Sequence, residues 1–324
     1  MSGMIFFTIC NHEYLTEAIV SINSFKRHYA SEGISFKIFV IDDVEDKHVN
    51  DLEIISVLRV IGAQRYKKLS YKFNITEFST AVKPSCFKYN FGLGFSNVYY
   101  FDPDTYFISD KVDFIIPKNK LVSATYHRNN IKNTAVFRQV DIIRNGLLNF
   151  GYLGLKNTVE TQQMLNEWES FNEQYCFSDQ NTGYFTDQLF ALNILGIFRQ
   201  SIHILDETKF NLAYWNVDQN PHLESACMLH FSKVNRKQNE KVWQYLDSTS
   251  RLYVSYLNQY WEELIDNGEY KKGVMLNRKY KVLSEKRMLR NKLEIDYALN
   301  ICLFYIFFPL LKHLSFDKLK RFLK

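Results

Sequence analysis

Two hydrophobic periodicities alternate along the first hundred residues. Residues 5–9 form a short apolar run suited to a buried strand. After a loop at 11–14, Leu15, Ala18, Ile19, Ile22 and Phe25 recur at helical spacing through residue 29. Residues 36–41 predict a second strand, closed by Asp42-Asp43. Helical spacing returns over 49–61 and again over 79–92, and residues 98–101 predict another strand. Strands alternating with helices in this order imply an α/β fold with helices on the faces of a largely parallel sheet. In such sheets ligands gather at the carboxyl ends of the strands, an edge that would hold Thr8, Asp42 and Asp102.

The middle of the chain is less regular. Residues 121–126 and 151–155 read as strands and 159–171 as a helix. A further helix is expected over 187–195 with Thr186 as its cap, and short strands over 202–204 and 228–231. Residues 243–300 have helical character, interrupted at Asn267-Gly268. There is no internal repeat and no low-complexity linker. Two domains are expected: 1–240 carrying the sheet, and 241–324 as a helical, basic extension.

Charge sharpens that division. Residues 271–324 contain 14 Lys and Arg against 4 Asp and Glu, while the whole chain is only +5, so the body is net negative. This is not the pattern of a nucleic-acid-binding protein. A basic tail on an acidic body, with the apolar segment 298–311 inside it, predicts an amphipathic segment lying on a membrane surface. That segment falls short of the roughly 20 apolar residues a spanning helix needs. The amino terminus shows no signal-peptide pattern, which predicts a cytoplasmic protein peripheral to the inner face of the membrane. Five scattered cysteines without a Cys-x-x-Cys argue against a disulfide framework or a thiolate zinc site. The 27 Phe and 21 Tyr read as core.

The chemistry concentrates at Asp102-Pro103-Asp104, directly after the apolar run 98–101. Aspartates are depleted from strand interiors, and burying ionised groups without partners is costly, so the run is expected to end in a cleft. On an ideal strand Asp102 and Asp104 face the same side, and hard carboxylate oxygens suit Mn2+ or Mg2+. His230, at the end of the apolar run 228–231, is a core histidine or the third ligand of that ion. Asn149 precedes the glycine-bearing stretch Gly151-Tyr152-Leu153-Gly154, where glycine permits close approach to the backbone. Asp187-Gln188 opens the expected helix at 187–195.

In this order the motifs resemble those of the GT-A glycosyltransferases, most nearly glycosyltransferase family eight, which includes glycogenin-like and bacterial lipopolysaccharide hexosyltransferases. The resemblance rests on Thr8, Asn11 and Tyr14, Lys83-Pro84, Tyr100 through Asp104, Asn149-Phe150-Gly151, Asp187-Gln188 and His230-Phe231-Ser232, and covers about residues 1–240. It implies a Rossmann-like mixed sheet and transfer of a hexose from a nucleotide sugar, UDP-linked, to a surface glycan; the basic tail adds a lipid-linked acceptor, and deprotonation of the acceptor by the departing phosphate on the same face would give retention of configuration. It further implies that Asp102, Asp104 and His230 hold the metal, and that Thr8, Asn11, Tyr14 and Lys83 bind the nucleotide sugar. Asn149, Asp187 and Gln188 would face the transferred sugar. Lys233 departs from the pattern, standing where the family has glycine, and is placed with the nucleotide-sugar-binding residues. Residues 210–216 resemble a segment placed near the acceptor. Two alternatives stay open: a haloacid-dehalogenase-like phosphatase with Asp102 as nucleophile, and a non-catalytic membrane-associated scaffold.

Overall fold

The computed structural model describes residues 3–29, 33–49, 51–129, 133–134, 136, 141, 145–179, 184–220, 222–232, 240–268 and 274. Lys233 and the basic, apolar segment 275–324 lie outside the described residues.

The strands are β1 (Met4–Cys10), β2 (Ile34–Val40), β3 (Lys47–Val49), β4 (Leu52–Ser56), β5 (Asn97–Phe101), β6 (Thr105–Phe107), β7 (Val122–Tyr126), β8 (Leu148–Lys156), β9 (Ser178–Asp179), β10 (Tyr184–Phe185), β11 (Ile202–Leu205), β12 (Phe210–Ala213) and β13 (Met228–His230). Eight of them form the main sheet in the order β11-β7-β8-β5-β1-β2-β4-β3. Strand β1 pairs in parallel with both β2 and β5, while β8 runs antiparallel to β5 and β7. The sheet is therefore mixed, with helices on both faces, in agreement with the expected fold class.

Period-two alternation explains why these segments are strands. On β1, Ile5, Phe7 and Ile9 face one core while Phe6 and Cys10 face the other; on β5, Val98 and Tyr100 divide from Tyr99 and Phe101 in the same way. The first core packs under helices Lys83–Gly92 and Val159–Tyr175. The second packs under helix Leu15–His28. The aromatic surplus is spent here. Phe6 lies between Phe25, Tyr99 and Phe101, with ring centroids 4.6, 4.9 and 5.2 Å away, and such pairs add about 0.5–1.5 kcal/mol each beyond burial. The four described cysteines are all buried and free.

Several elements differ from the sequence expectation. Residues 49–61 are not one helix but the end of β3, then β4 and a five-residue helix, Val57–Ile61. Leu52 and Ile54 face one core and Ile55 the other, a period of two that mimics helical spacing over so short a run. The stretch 79–92 is divided between helices Ile75–Ala81 and Lys83–Gly92. The first opens with an Asn74/Glu77 capping box, and Pro84 sits in the first turn of the second. Thr186 does not cap a helix. It sits at φ 49°, bonds the Asp187 carboxylate, and begins a 3-10 turn, Thr186–Phe190, ahead of helix Ala191–Ile197. The helical region starts at Glu240 and breaks at Ser250, whose hydroxyl caps helix Arg251–Asp266.

A three-stranded sheet, β12-β13-β6, stands beside the main one. Helices Glu240–Thr249 and Arg251–Asp266 share its apolar core, and Tyr253 donates a hydrogen bond to the His230 carbonyl at 3.0 Å. Among the described residues no helix is long and apolar enough to cross a membrane.

Candidate metal centre

Strand β5 ends at Phe101, and the chain turns immediately. The Thr105 N–H donates to the Asp102 carbonyl at 3.2 Å, closing a four-residue turn with Pro103 at its second position. Asp102 and Asp104 therefore do not share a strand face, as an extended segment would require. They converge because this turn folds them together. Strand β6 leaves the turn and pairs antiparallel with β13, placing His230 opposite Thr105. The Phe231 N–H donates to the Asp104 carbonyl at 2.9 Å, so the turn is bolted to the strand that carries the histidine.

His230 Nε2 lies 3.2 Å from Asp104 Oδ1 and 3.5 Å from Asp102 Oδ2. One ligand atom from each of the three residues falls within 4.8 Å of the others. Two carboxylates and an imidazole make a hard, oxygen-rich donor set that fits Mn2+ or Mg2+. Their exposure suits a rim: the His230 side chain is 5% exposed, Asp104 15% and Asp102 28%. Burial raises the Asp102 carboxyl above its ordinary value, against the opposing charges of Lys83 and His230. Burial alone would lower the His230 imidazole, but the Asp104 charge and hydrogen bond, then Asp102, hold it above its ordinary 6.5. The same two carboxylates that raise the imidazole favour positive charge at this point.

Neighbouring groups fix the carboxylates. The Tyr100 hydroxyl donates to Asp102 Oδ1 at 2.5 Å. Lys83 Nζ sits 4.4 Å above the Tyr100 ring centroid and 2.8 Å from Asp187 Oδ2, and both charged side chains are buried, at 2% and 1% exposure. Lys83, Asp187, Tyr100 and the metal trio thus form one connected group. Gln188 turns toward β8; its amide donates to the Leu148 carbonyl and accepts from the Phe150 N–H at 3.3 Å. The Asn149 carboxamide oxygen accepts from the Gly151 N–H at 2.7 Å. Thr8, Asn11 and Tyr14 stand at the neighbouring end of β1 and the loop after it. Thr8 is buried with an unpartnered hydroxyl oxygen, and Asn11 caps the 3-10 turn at the Tyr14 N–H. The loop is tied to the end of β2 by the His12 N–H, which donates to Asp42 at 2.6 Å.

Glycine at 151 does permit a close approach, but the visitor is His230. A Cβ there would lie 2.7 Å from both His230 Cε1 and Asn149 Oδ1. Gly151→Ala is expected to cost about 1–3 kcal/mol in overpacking and to push the imidazole out of line with the carboxylates. A urea titration with and without Mn2+ checks both effects. Wild-type stability together with wild-type Mn2+ affinity would show that the contact is slack.

Sequence reasoning gave Tyr100, which reads as one more core aromatic in an apolar run, no part in holding Asp102, and did not foresee the groups behind His230. Trp215 meets His230 edge-on with ring centroids 5.4 Å apart, and His127 packs on Trp215 at 5.8 Å. Burial pushes the His127 imidazole down to about 4, so near neutral pH it places no second positive charge beside the trio.

No protein-family model matches the chain, nor does any curated protein. Solved structures with a similar layout include a glycosyltransferase involved in glycosylation of the major capsid of PBCV-1, at 8% identity and TM-score 0.46 over 75% of this chain and 98% of that one. Another is the glycosyltransferase GlyE of Streptococcus pneumoniae TIGR4, at 15% identity and TM-score 0.46 over 81% of this chain. This chain spans 64% of the GlyE chain. A third is the galactosyltransferase LgtC in complex with donor and acceptor sugar analogs, at 12% identity and TM-score 0.41 over 77% of this chain and 97% of that one. Likenesses this distant assign no activity; the chemistry of the rim must do so.

Proposed function

We propose that this protein is a metal-dependent glycosyltransferase that moves a hexose from a UDP-linked donor to a lipid-linked surface glycan. The observation that carries this reading is the convergence of Asp102, Asp104 and His230 at the carboxyl edge of the sheet, beside the buried Lys83–Asp187 pair. A divalent cation held there would stabilise, as a Lewis acid, the charge that develops on a departing diphosphate. Asp102 and Asp104 hold the position and Tyr100 orients Asp102. Lys83 adds positive potential behind the trio, and Thr8, Asn11, Tyr14 and Lys233 belong to the nucleotide side.

The placement of Asp187 supports retention. Inversion needs a free carboxylate base opposite the donor, and Asp187, the candidate the sequence suggests, is buried and paired with Lys83. The departing phosphate oxygen then takes the acceptor's proton on the same face. Asn149 and Gln188 are the groups nearest a role with the sugar, and Gln188 must leave the backbone of β8 to play it. The extension 241–324 would hold the enzyme at the membrane surface where a lipid-linked acceptor lies, on the strength of its charge. A phosphatase reading fares worse, because both oxygens of the would-be nucleophile Asp102 are occupied, one by Tyr100 and the other beside His230.

The test is a screen of nucleotide sugars for Mn2+-dependent release of nucleoside diphosphate. No release from any donor, with or without acceptor glycans, would sink the proposal. Proton linkage gives a separate check. The folded-state value of His230 is raised above 6.5, so its contribution to the cation-free fold is full below 6.5 and fades as pH rises through the raised value. Nε2 coordinates only after losing that proton. Saturating Mn2+ is therefore expected to raise the melting temperature more at pH 8 than at pH 6. An equal shift at both pH values would place the ion elsewhere.

A further inference from the structure

Two irregularities in the strands face one another behind His230. The β7–β8 pairing shifts register between Ala124 and Thr125. The β12–β13 pairing shifts between Phe210 and Leu212, leaving Asn211 as the extra residue, at φ 79°. Asparagine is among the few L-residues that adopt this left-handed conformation readily. Bulges of this kind re-aim side chains and are enriched next to active sites. Here they bring Asn211, 1% exposed, into a hydrogen-bonded line with Thr125 and His230.

The orientation of the Asn211 amide gives that line one direction. The Thr125 hydroxyl donates to the Asn149 carbonyl at 3.4 Å, so its oxygen is left to accept. Asn211 Nδ2 donates to that oxygen at 2.8 Å. Asn211 Oδ1 therefore faces His230 Nδ1, 2.9 Å away, and can only accept. With the amide oriented this way, the proton of a neutral His230 resides on Nδ1, which leaves the Nε2 lone pair directed at Asp102 and Asp104. A ligating histidine held through its other nitrogen in this way has its ring orientation and tautomer set in advance.

We infer that Asn211, backed by Thr125, is a positioning residue that selects the metal-ligating tautomer of His230. The inference rests on the metal reading above. It moves Asn211 from the acceptor side, where the sequence placed residues 210–216, to the back of the ion site. It also accounts for the strained backbone, because a regular residue 211 would keep pairing with β13 and turn its side chain elsewhere.

Asn211→Gly is the informative variant, since glycine accepts φ 79° without cost and removes only the amide. Mn2+ affinity, measured by calorimetry, is expected to fall about 10- to 100-fold while the urea midpoint stays close to wild type. Asn211→Asp, which restores an acceptor for Nδ1, should recover at least tenfold of that loss. With Mg2+ bound, long-range nitrogen–proton spectra of 15N-histidine-labelled wild-type protein should show His230 protonated on Nδ1 alone, and Asn211→Gly should lose that signature. Wild-type Mn2+ affinity in Asn211→Gly, or an Nε2 proton in the Mg2+-bound wild type, would overturn the role of Asn211 while leaving the ion site intact. Failure of the wild-type protein to bind Mn2+ at all would overturn both readings.

Discussion

Asp102→Asn and Asp104→Asn are each expected to reduce Mn2+-dependent release of nucleoside diphosphate by about 10³-fold or more, with the urea midpoint little changed. Each exchange keeps the side chain's shape and removes a charged oxygen donor from a set of three. Stabilising a departing diphosphate is worth several kcal/mol in the transition state, and each 1.36 kcal/mol is a factor of ten in rate. Folding has little to lose, because the trio contains two like charges that the Tyr100 hydrogen bond and the His230 imidazole only partly offset. Activity within about tenfold of wild type in either variant would show that the cation, if present, is held by other groups.

The second large effect concerns stability. Lys83→Met leaves Asp187 as a buried carboxylate without its counter-ion, and breaking a buried pair by removing one partner typically costs about 3–5 kcal/mol. Among the described residues no other ion pair has both side chains so deeply enclosed. The double variant Lys83→Met/Asp187→Leu removes both charges and is expected to regain most of the loss, as apolar replacements of whole buried pairs do. Urea denaturation of the three proteins decides the matter. A Lys83→Met protein within about 1 kcal/mol of wild type would mean that water or rearrangement already solvates Asp187.

The sequence announced the strands that carry the site through their contiguous apolar runs, and β1, β2 and β5 lie where those runs fall. It announced Asp102 and Asp104 because charges at the end of such a run need an explanation. The reason they converge was not legible, since it lies in a turn and not in strand alternation. Residues 49–61 misled because three or four apolar positions fit a short strand pair and a helix equally well. His230 was legible as a core histidine or a third ligand, and the ordered resemblance favoured the ligand; nothing in its neighbours indicates that β13 pairs with β6. The contact between Asn211 and Thr125 was invisible, because their meeting depends on two register shifts in strand pairs that are remote in sequence. Tyr100 and Lys83 were each read alone, and only packing shows that one ring links them.

The turn from Asp102 to Thr105 is also the passage by which the chain leaves the eight-stranded sheet for the three-stranded one. Two of the three candidate ligands, Asp102 and Asp104, lie in this connection. Asp104 is bonded to the strand of His230 and Asp102 to β8 of the main sheet, so a shift in how the two sheets meet would act on the gap between Asp102 and the imidazole. An ion bridging that gap would act as a rivet through the joint, so the molecule could not flex there without loosening its hold on the metal.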